Sequence, residues 1–214
     1  MGQRNEEDIR RKTVLDILEK TYPDATTELV HKNPYELLIA TMLSAQTTDK
    51  QVNKVTPGLF ERFPDAKALA EADISEIESL IKTCGFYKSK ARNIKEACRI
   101  IVEEYGGRVP QTMEELTDLP GVGRKTANVV LSNAFGVDAI AVDTHVFRVA
   151  NRLGLAQSGD VRGTEEQLME NIPREKWSRA HHWLIHHGRR ICKARRPKCE
   201  ECPLAEVCSF KAEQ

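Results

Sequence analysis

The 214-residue sequence lacks net charge: 32 Lys and Arg balance 32 Asp and Glu. Nothing global therefore marks the chain for a polyanion or an anionic membrane. Long apolar runs are missing too. The longest, LLIATMLSA from Leu37 to Ala45, is about half of the ~20 residues a membrane span needs. The opening MGQRNEEDIRRK has no apolar segment of the kind a secretory signal carries. Glu6 breaks the pattern that a Met-Gly start would need for myristoylation. Also absent are repeats at solenoid periods, low-complexity tracts and the GxxxxGK[ST] of a Walker loop. No stretch alternates apolar and polar residues beyond four positions, which removes the usual strand signal. These absences predict a cytoplasmic chain with no membrane partner.

What remains is 40% hydrophobic and 30% charged, an ordinary globular composition long enough for one large or two small domains. The hydrophobic period is helical almost throughout. Val14, Ile17 and Leu18 in VLDILEKTY, then Ile94, Ala97, Cys98 and Ile101 in IKEACRIIVEEY, recur at three- and four-residue steps. So do Val146, Val149, Ala150 and Leu153 in VFRVANRLG. PYELLIATMLSAQ is apolar on most faces and starts with Pro34 after Asn33, which predicts a helix entering a core. Segments end at Gly85, Gly106-Gly107, Gly136 and Gly154. The expectation is an all-α protein of about ten helices. Charge is also uneven: between Arg174 and Lys198, Glu175 is the single acid among nine Lys and Arg. Glu61 to Leu80 carries six acids against two bases. A basic C-terminal third fits either a solvated helical face or a polyanion surface.

The sharpest motif is LPGVGRKTANVV, Leu119 to Val130. An acidic helix ends at Pro120, Gly121-Val122-Gly123 turns, and a second helix starts at Arg124-Lys125. Glycines free the backbone to turn and let a ligand approach without Cβ atoms. The turn's N–H groups and those opening the next helix then form a phosphate site at a positive dipole end. The helix–PGVG–RK–helix unit resembles the helix-hairpin-helix of DNA binders, which implies a grip on phosphate without base reading. Lys125 is a solvated or phosphate-contacting cation in the plain reading. Its place in the first helical turn beside Arg124 disfavours its charge, and with desolvation the amine becomes a nucleophile. Eighteen residues on, Asp143 precedes the helix of Thr144–Leu153, as an N-cap, as a proton-handling carboxylate, or as both.

Cys192, Cys199, Cys202 and Cys208 follow the pattern C-x6-C-x2-C-x5-C, with Lys193, Arg195, Arg196 and Lys198 among them. In a reducing compartment such a cluster points to metal before disulfide, and the spacing suits zinc or an iron–sulfur cluster. Cys98, on an apolar face, is a packed side chain. His181, His182, His186 and His187 in HHWLIHH have ligand-like spacing; with the cysteines already supplying a metal site, they are expected to pack and to contact phosphate.

Taken in order, NPYELLIATMLSAQTTD, LPGVGRKTANVV, AVDTHVFRV, HHWLIHHGRRIC and the cysteine tail resemble the endonuclease III family over nearly the whole chain. That family comprises bifunctional DNA glycosylase/abasic-site lyases of the helix-hairpin-helix superfamily. The resemblance implies a [4Fe–4S] cluster on the four cysteines, and a loop that aims Arg195, Arg196 and Lys198 at phosphate. It implies excision of oxidised pyrimidines from duplex DNA, with Lys125 as the Schiff-base nucleophile and Asp143 assisting. Gly121, Gly123 and Arg124 would hold phosphate, and Gln46 would fill the space of a flipped nucleotide. Phe86 stands where the family usually has leucine as a second wedge. His145 matches a histidine near the pocket. Implied too are a monomer and two helical domains with a DNA groove between them. One is a barrel of about 28–137 with the hairpin at about 115–135. The other joins 1–27 to 138–214 and carries the cluster loop, 192–208. Adenine glycosylases of the superfamily lack the lysine and carry a glutamate in the early helix, where this chain reads TMLSAQTTD. Mismatch-type glycosylases, and a hairpin module that binds without chemistry, are the remaining alternatives.

Overall fold

The computed structural model describes residues 2–210. These residues form eleven α-helices joined by short connections, with three brief 3₁₀ turns. Strand is absent among them, as the sequence pattern predicts, and no described helix is long and apolar enough to cross a membrane. Two compact units divide the chain: Thr27–Val137, and a discontinuous unit of Met1–Thr26 with Asp138–Gln214.

The unit of 27–137 is built around α2 (Pro34–Ser44), whose residues from Tyr35 to Leu43 are all buried. A helix apolar on every side must be surrounded. It packs on α3 (Asp49–Arg62), α6 (Tyr87–Tyr105) and α8 (Arg124–Phe135). Its start is set locally. The Asn33 side chain accepts from Glu36 N (2.9 Å), Glu36 accepts from Lys32 N (2.7 Å), and Pro34 fixes the first turn. The core continues through Leu38, Leu43, Ile77, Ile81, Ile94, Ile101 and Val130, each worth roughly 1.5–3 kcal/mol relative to exposure. α4 (Ala66–Glu71) and α5 (Ile74–Ile81) pack on α6. Cys98 is fully buried there, and burial pushes its thiol up to about 12. Gly106 and Gly136 end their helices with positive φ. Gly85 does not: α5 stops at Ile81, and the left-handed residue of the next turn is Phe86.

The other unit packs α1 (Gly2–Thr21), α9 (Thr144–Arg152), α10 (Val161–Asn171) and α11 (Trp177–Arg190). Val14, Leu15 and Leu18 of α1 join Val146, Val149, Leu168, Trp183 and Leu184 in one core. That shared core is why the chain's first helix belongs with its last third. Arg10 donates to Leu153 O (2.6 Å), Gly154 O (3.0 Å) and Val207 O (3.3 Å), tying α1 to the end of α9 and to the C-terminal loop.

The hairpin comes from α7 (Met113–Asp118), the turn of Leu119–Gly123, and α8. α7 opens on a Thr112 cap: the hydroxyl oxygen accepts from Glu115 N, and the hydroxyl donates to the Glu115 carboxylate (2.8 Å). The two glycines then play different parts. Gly121 has φ 80°, and a Cβ there would lie 2.8–2.9 Å from the Asn93 side chain. Gly123 is extended (φ −96°), with open space where its Cβ would stand. Thermal denaturation should therefore separate them. Gly121→Ala is expected to lower stability by at least the ~1–2 kcal/mol of a left-handed L-residue, whereas Gly123→Ala should cost less. Equal losses would contradict this division of roles.

Candidate active site and cluster loop

Lys125 lies exposed in the first turn of α8. The N-cap of that helix is Gly123, which has no side chain to accept from the opening N–H groups. Seven other helices begin at Asn, Thr or Asp side chains that do accept. A helix start without a side-chain cap suits an outside acceptor. Arg124 is exposed beside Lys125.

Asp143, half-buried, caps α9. One oxygen, Oδ1, accepts from His145 N and Val146 N, both at 2.8 Å. The other takes no hydrogen bond among the described residues, so capping leaves one carboxylate oxygen for chemistry. His145 is half-buried, and burial lowers its pKa, with Asp143 pulling the other way. Arg148 sits 3.2 Å from His145 Nδ1 and donates to Gly188 O and Cys192 O, both at 3.1 Å. One guanidinium therefore joins the helix that Asp143 caps to the start of the cysteine loop.

The four cysteines line one cavity with His187, Leu153, Ile191 and Phe210. Among the described residues, no three His, Cys, Asp or Glu converge as for a single ion; the sulfurs surround a space instead. Burial and the neighbouring sulfurs push the thiols of Cys202 and Cys208 up. Four thiolates held together there need compensating positive charge, which an iron–sulfur cluster provides. The surroundings suit one: His187 Nε2 lies 3.6 Å from Cys202 Sγ, and Tyr22 Oη lies 3.0 Å from His187 Nδ1. A hydroxyl that donates to Nδ1 leaves Nε2–H to face sulfur. Arg152 Nη1 is 3.5 Å from Cys192 Sγ; Arg152 also donates to Lys193 O (2.7 Å) and Ala194 O (3.2 Å) and stacks on Phe210. Sequence reasoning missed Arg10, Arg148 and Arg152. The signal for the last two was their four-residue step, which puts both on one face of α9.

The loop exposes Arg195, Arg196 and Lys198. Arg195 and Arg196 make no ion pair among the described residues, while Lys198 pairs with Glu201 at 2.9 Å in an exposed contact. The histidines of α11 are buried, so packing is their role and phosphate contact is not. His181 bonds Ala141 O, and burial drops His182 to about 3 and His187 to about 4, keeping both neutral. Three non-glycine residues among those described hold a left-handed backbone: Gln46 (φ 54°), Phe86 (φ 58°) and Arg196 (φ 51°). All three are residues for which the family resemblance implies DNA contact. Phe86 is 68% exposed, a large apolar ring standing in solvent.

Comparison with known proteins gives matches along most of the chain. A family model described as HhH-GPD superfamily base excision DNA repair protein matches residues 39–174. A second, the iron-sulfur binding domain of endonuclease III, matches 192–208. An endonuclease III from Synechocystis sp. is 55% identical over 93% of this chain and 91% of its own length. Among solved structures, a non-covalent endonuclease III–DNA complex superposes with a TM-score of 0.90 at 50% identity, covering 94% of this chain and 95% of that one. A trapped endonuclease III–DNA covalent intermediate gives 0.88, again at 50% identity, covering 93% and 95%. The chain belongs to the endonuclease III family, within the HhH-GPD superfamily of base-excision DNA repair proteins.

Proposed function

We propose that Lys125 is the nucleophile and Asp143 the proton-handling carboxylate of this base-excision repair enzyme, a DNA glycosylase with abasic-site lyase activity. Its substrate is duplex DNA carrying an oxidised pyrimidine or an abasic site. What carries the assignment is the start of α8: a glycine-capped helix with an exposed lysine one residue inside. Backbone donors there grip a phosphate without reading a base. The damaged nucleotide is extruded, at a stacking cost that is lower for a damaged base. Gln46 and Phe86 fill the space it leaves, Phe86 by stacking where the family usually inserts leucine.

Lys125 Nζ then attacks C1′, and the bond from C1′ to the base breaks. The free carboxylate oxygen of Asp143 stabilises the cationic sugar and takes the proton that the amine gives up. Asp143 passes that proton to O4′ as the C1′–O4′ bond breaks and the sugar ring opens to the Schiff base, while the departed base is protonated by water. The Schiff base acidifies C2′, loss of a C2′ proton expels the 3′ phosphate, and water hydrolyses the imine to return the free lysine. Because Lys125 is exposed in its own unit, the bound nucleotide supplies the desolvation that frees its amine. Cys192, Cys199, Cys202 and Cys208 would hold the [4Fe–4S] cluster, which would cross-link the loop through four thiolates. Arg148 and Arg152 fix the loop it closes, so Arg195 and Arg196 add sequence-independent, salt-sensitive affinity. In this reading residues 27–137 are the hairpin-bearing barrel domain and the remainder is the cluster domain. The enzyme works as a monomer on the chromosome in the cytoplasm.

Borohydride trapping on a duplex with one oxidised thymine tests the nucleophile. Wild type should give a covalent band and Lys125→Ala none, with duplex affinity largely kept; a band from the variant would overturn the assignment. Asp143→Asn should retain its melting temperature, since Asn caps as well as Asp, while turnover falls by about 10²–10⁴. A variant that is as fast as wild type would reduce Asp143 to a cap. Cys199→Ser should lose iron, visible absorbance and soluble yield together, and a colourless, stable, fully active protein would remove the cluster from the scheme.

A further inference from the structure

Two of the left-handed residues, Gln46 and Phe86, lie on separate turns of the same unit. Such a conformation costs an L-residue about 1–2 kcal/mol and persists only where the surroundings over-determine it. The surroundings here are polar and specific. Lys90, on the first full turn of α6, is only 8% exposed. Its ammonium donates to Leu43 O (2.7 Å), near the end of α2, and to Thr47 Oγ1 (2.9 Å). The same hydroxyl oxygen accepts from Gly85 N (3.2 Å). Next along each chain stand Gln46, before Thr47, and Phe86, after Gly85. The turns also touch directly, for Gln46 O lies 3.3 Å from where a Cβ on Gly85 would be. A second bond, Gln51 Nε2 to Thr83 Oγ1 (2.7 Å), links the flanks of the same two turns.

An apolar side chain would fill a buried position more cheaply than an ammonium does. Burial indeed lowers the pKa of Lys90. What the ammonium adds is reach. It meets a carbonyl at the C-terminal end of a helix, where cations are favoured, and a hydroxyl that belongs to the neighbouring turn. No apolar residue joins these.

We propose that Lys90 and Thr47 form a clasp that locks Gln46 and Phe86 into one two-pronged probe, making Lys90 a positioning residue for nucleotide extrusion. This rests on reading Gln46 and Phe86 as the groups that occupy the vacated stack. Lys90 itself does not reach DNA. Its part is to keep the prongs ordered before DNA arrives, because ordering a loop on binding costs about 1–2 kcal/mol per residue. That cost would be drawn from the same interactions that oppose restacking. The clasp therefore matters most when the target base is paired and stacked, and least when it has no partner.

The test compares single-turnover excision of an oxidised thymine paired with adenine against the same lesion facing a one-nucleotide gap. A parallel duplex with 2-aminopurine opposite the lesion reports unstacking by fluorescence. Lys90→Met keeps length and loses the donors; Thr47→Val is isosteric, sits at a half-exposed position, and serves if the first variant fails to fold. Loss of charged hydrogen bonds should lower the paired-to-gapped rate ratio about tenfold, with a matching loss of the fluorescence rise and partial recovery in Lys90→Arg. A general loss of structure would lower both rates alike and leave the ratio unmoved. An unchanged ratio in Lys90→Met and Thr47→Val, beside a clear loss in Phe86→Ala, overturns the clasp alone. No effect from Phe86→Ala either overturns the underlying reading and the clasp with it.

Discussion

The requirement that every helix end satisfy its backbone N–H and C=O groups organises this molecule. An all-helical chain with short connections meets that requirement many times over, mostly by local means. Asn33, Thr48, Asp65, Asp73, Thr112, Asp143 and Asp160 each turn a side-chain oxygen back onto the first turn of their helix. Each such cap contributes about 1 kcal/mol, and together they fix where the chain turns. The sites assigned to function are the places where this rule is relaxed or shared. Gly123 caps nothing, so the start of α8 faces outward. Asp143 caps with one oxygen and keeps the other. Phe86 opens α6 from a left-handed conformation without a side-chain cap, and Lys90 of that helix reaches back to bond the end of α2.

The C-terminal loop follows the same logic by another route. Residues 191–208 contain only two 3₁₀ turns, too little regular structure to hold themselves. Their carbonyls are met instead by guanidinium groups from elsewhere: Arg148 on Cys192, Arg152 on Lys193 and Ala194, Arg10 on Val207. Leu204 anchors the loop in the unit's core. Arginine suits this task because its planar fork offers several donors in fixed directions. The result couples three things within one unit: the loop that shows Arg195 and Arg196, the sulfurs, and the helix capped by Asp143. His187 adds a fourth thread, from Tyr22 through an imidazole to Cys202.

Much of this was legible in the sequence. Three- and four-residue periodicity gave the helices, because burying one face of a helix needs that spacing and nothing else. Pro34 after Asn33 marked the start of α2 for local steric reasons. Gly121-Val122-Gly123 before Arg124-Lys125 announced the hairpin, and four cysteines in seventeen residues (192–208) announced a metal-binding loop, zinc or iron–sulfur, which the family resemblance narrowed to the cluster. Glycine as a stop signal misled at Gly85, where the left-handed residue is its neighbour Phe86. A side chain there is tolerated because bonds from distant residues enforce it, and no local rule reports that.

The sequence by itself thus determined the helical class, the hairpin, the nucleophile and carboxylate candidates, and the thiol set. All of these depend on residues close together along the chain or on side-chain chemistry that does not change with context. Tertiary structure alone decided which groups were spent and which were left. It buried the histidines of α11 and so made them packing residues. It paired Lys198 with Glu201 within the loop. It brought Arg10, 143 residues away in sequence, onto Leu153 O, and placed Lys90 between two turns some forty residues apart. Contacts of that kind are set by how helices pack, and packing depends on the whole core at once.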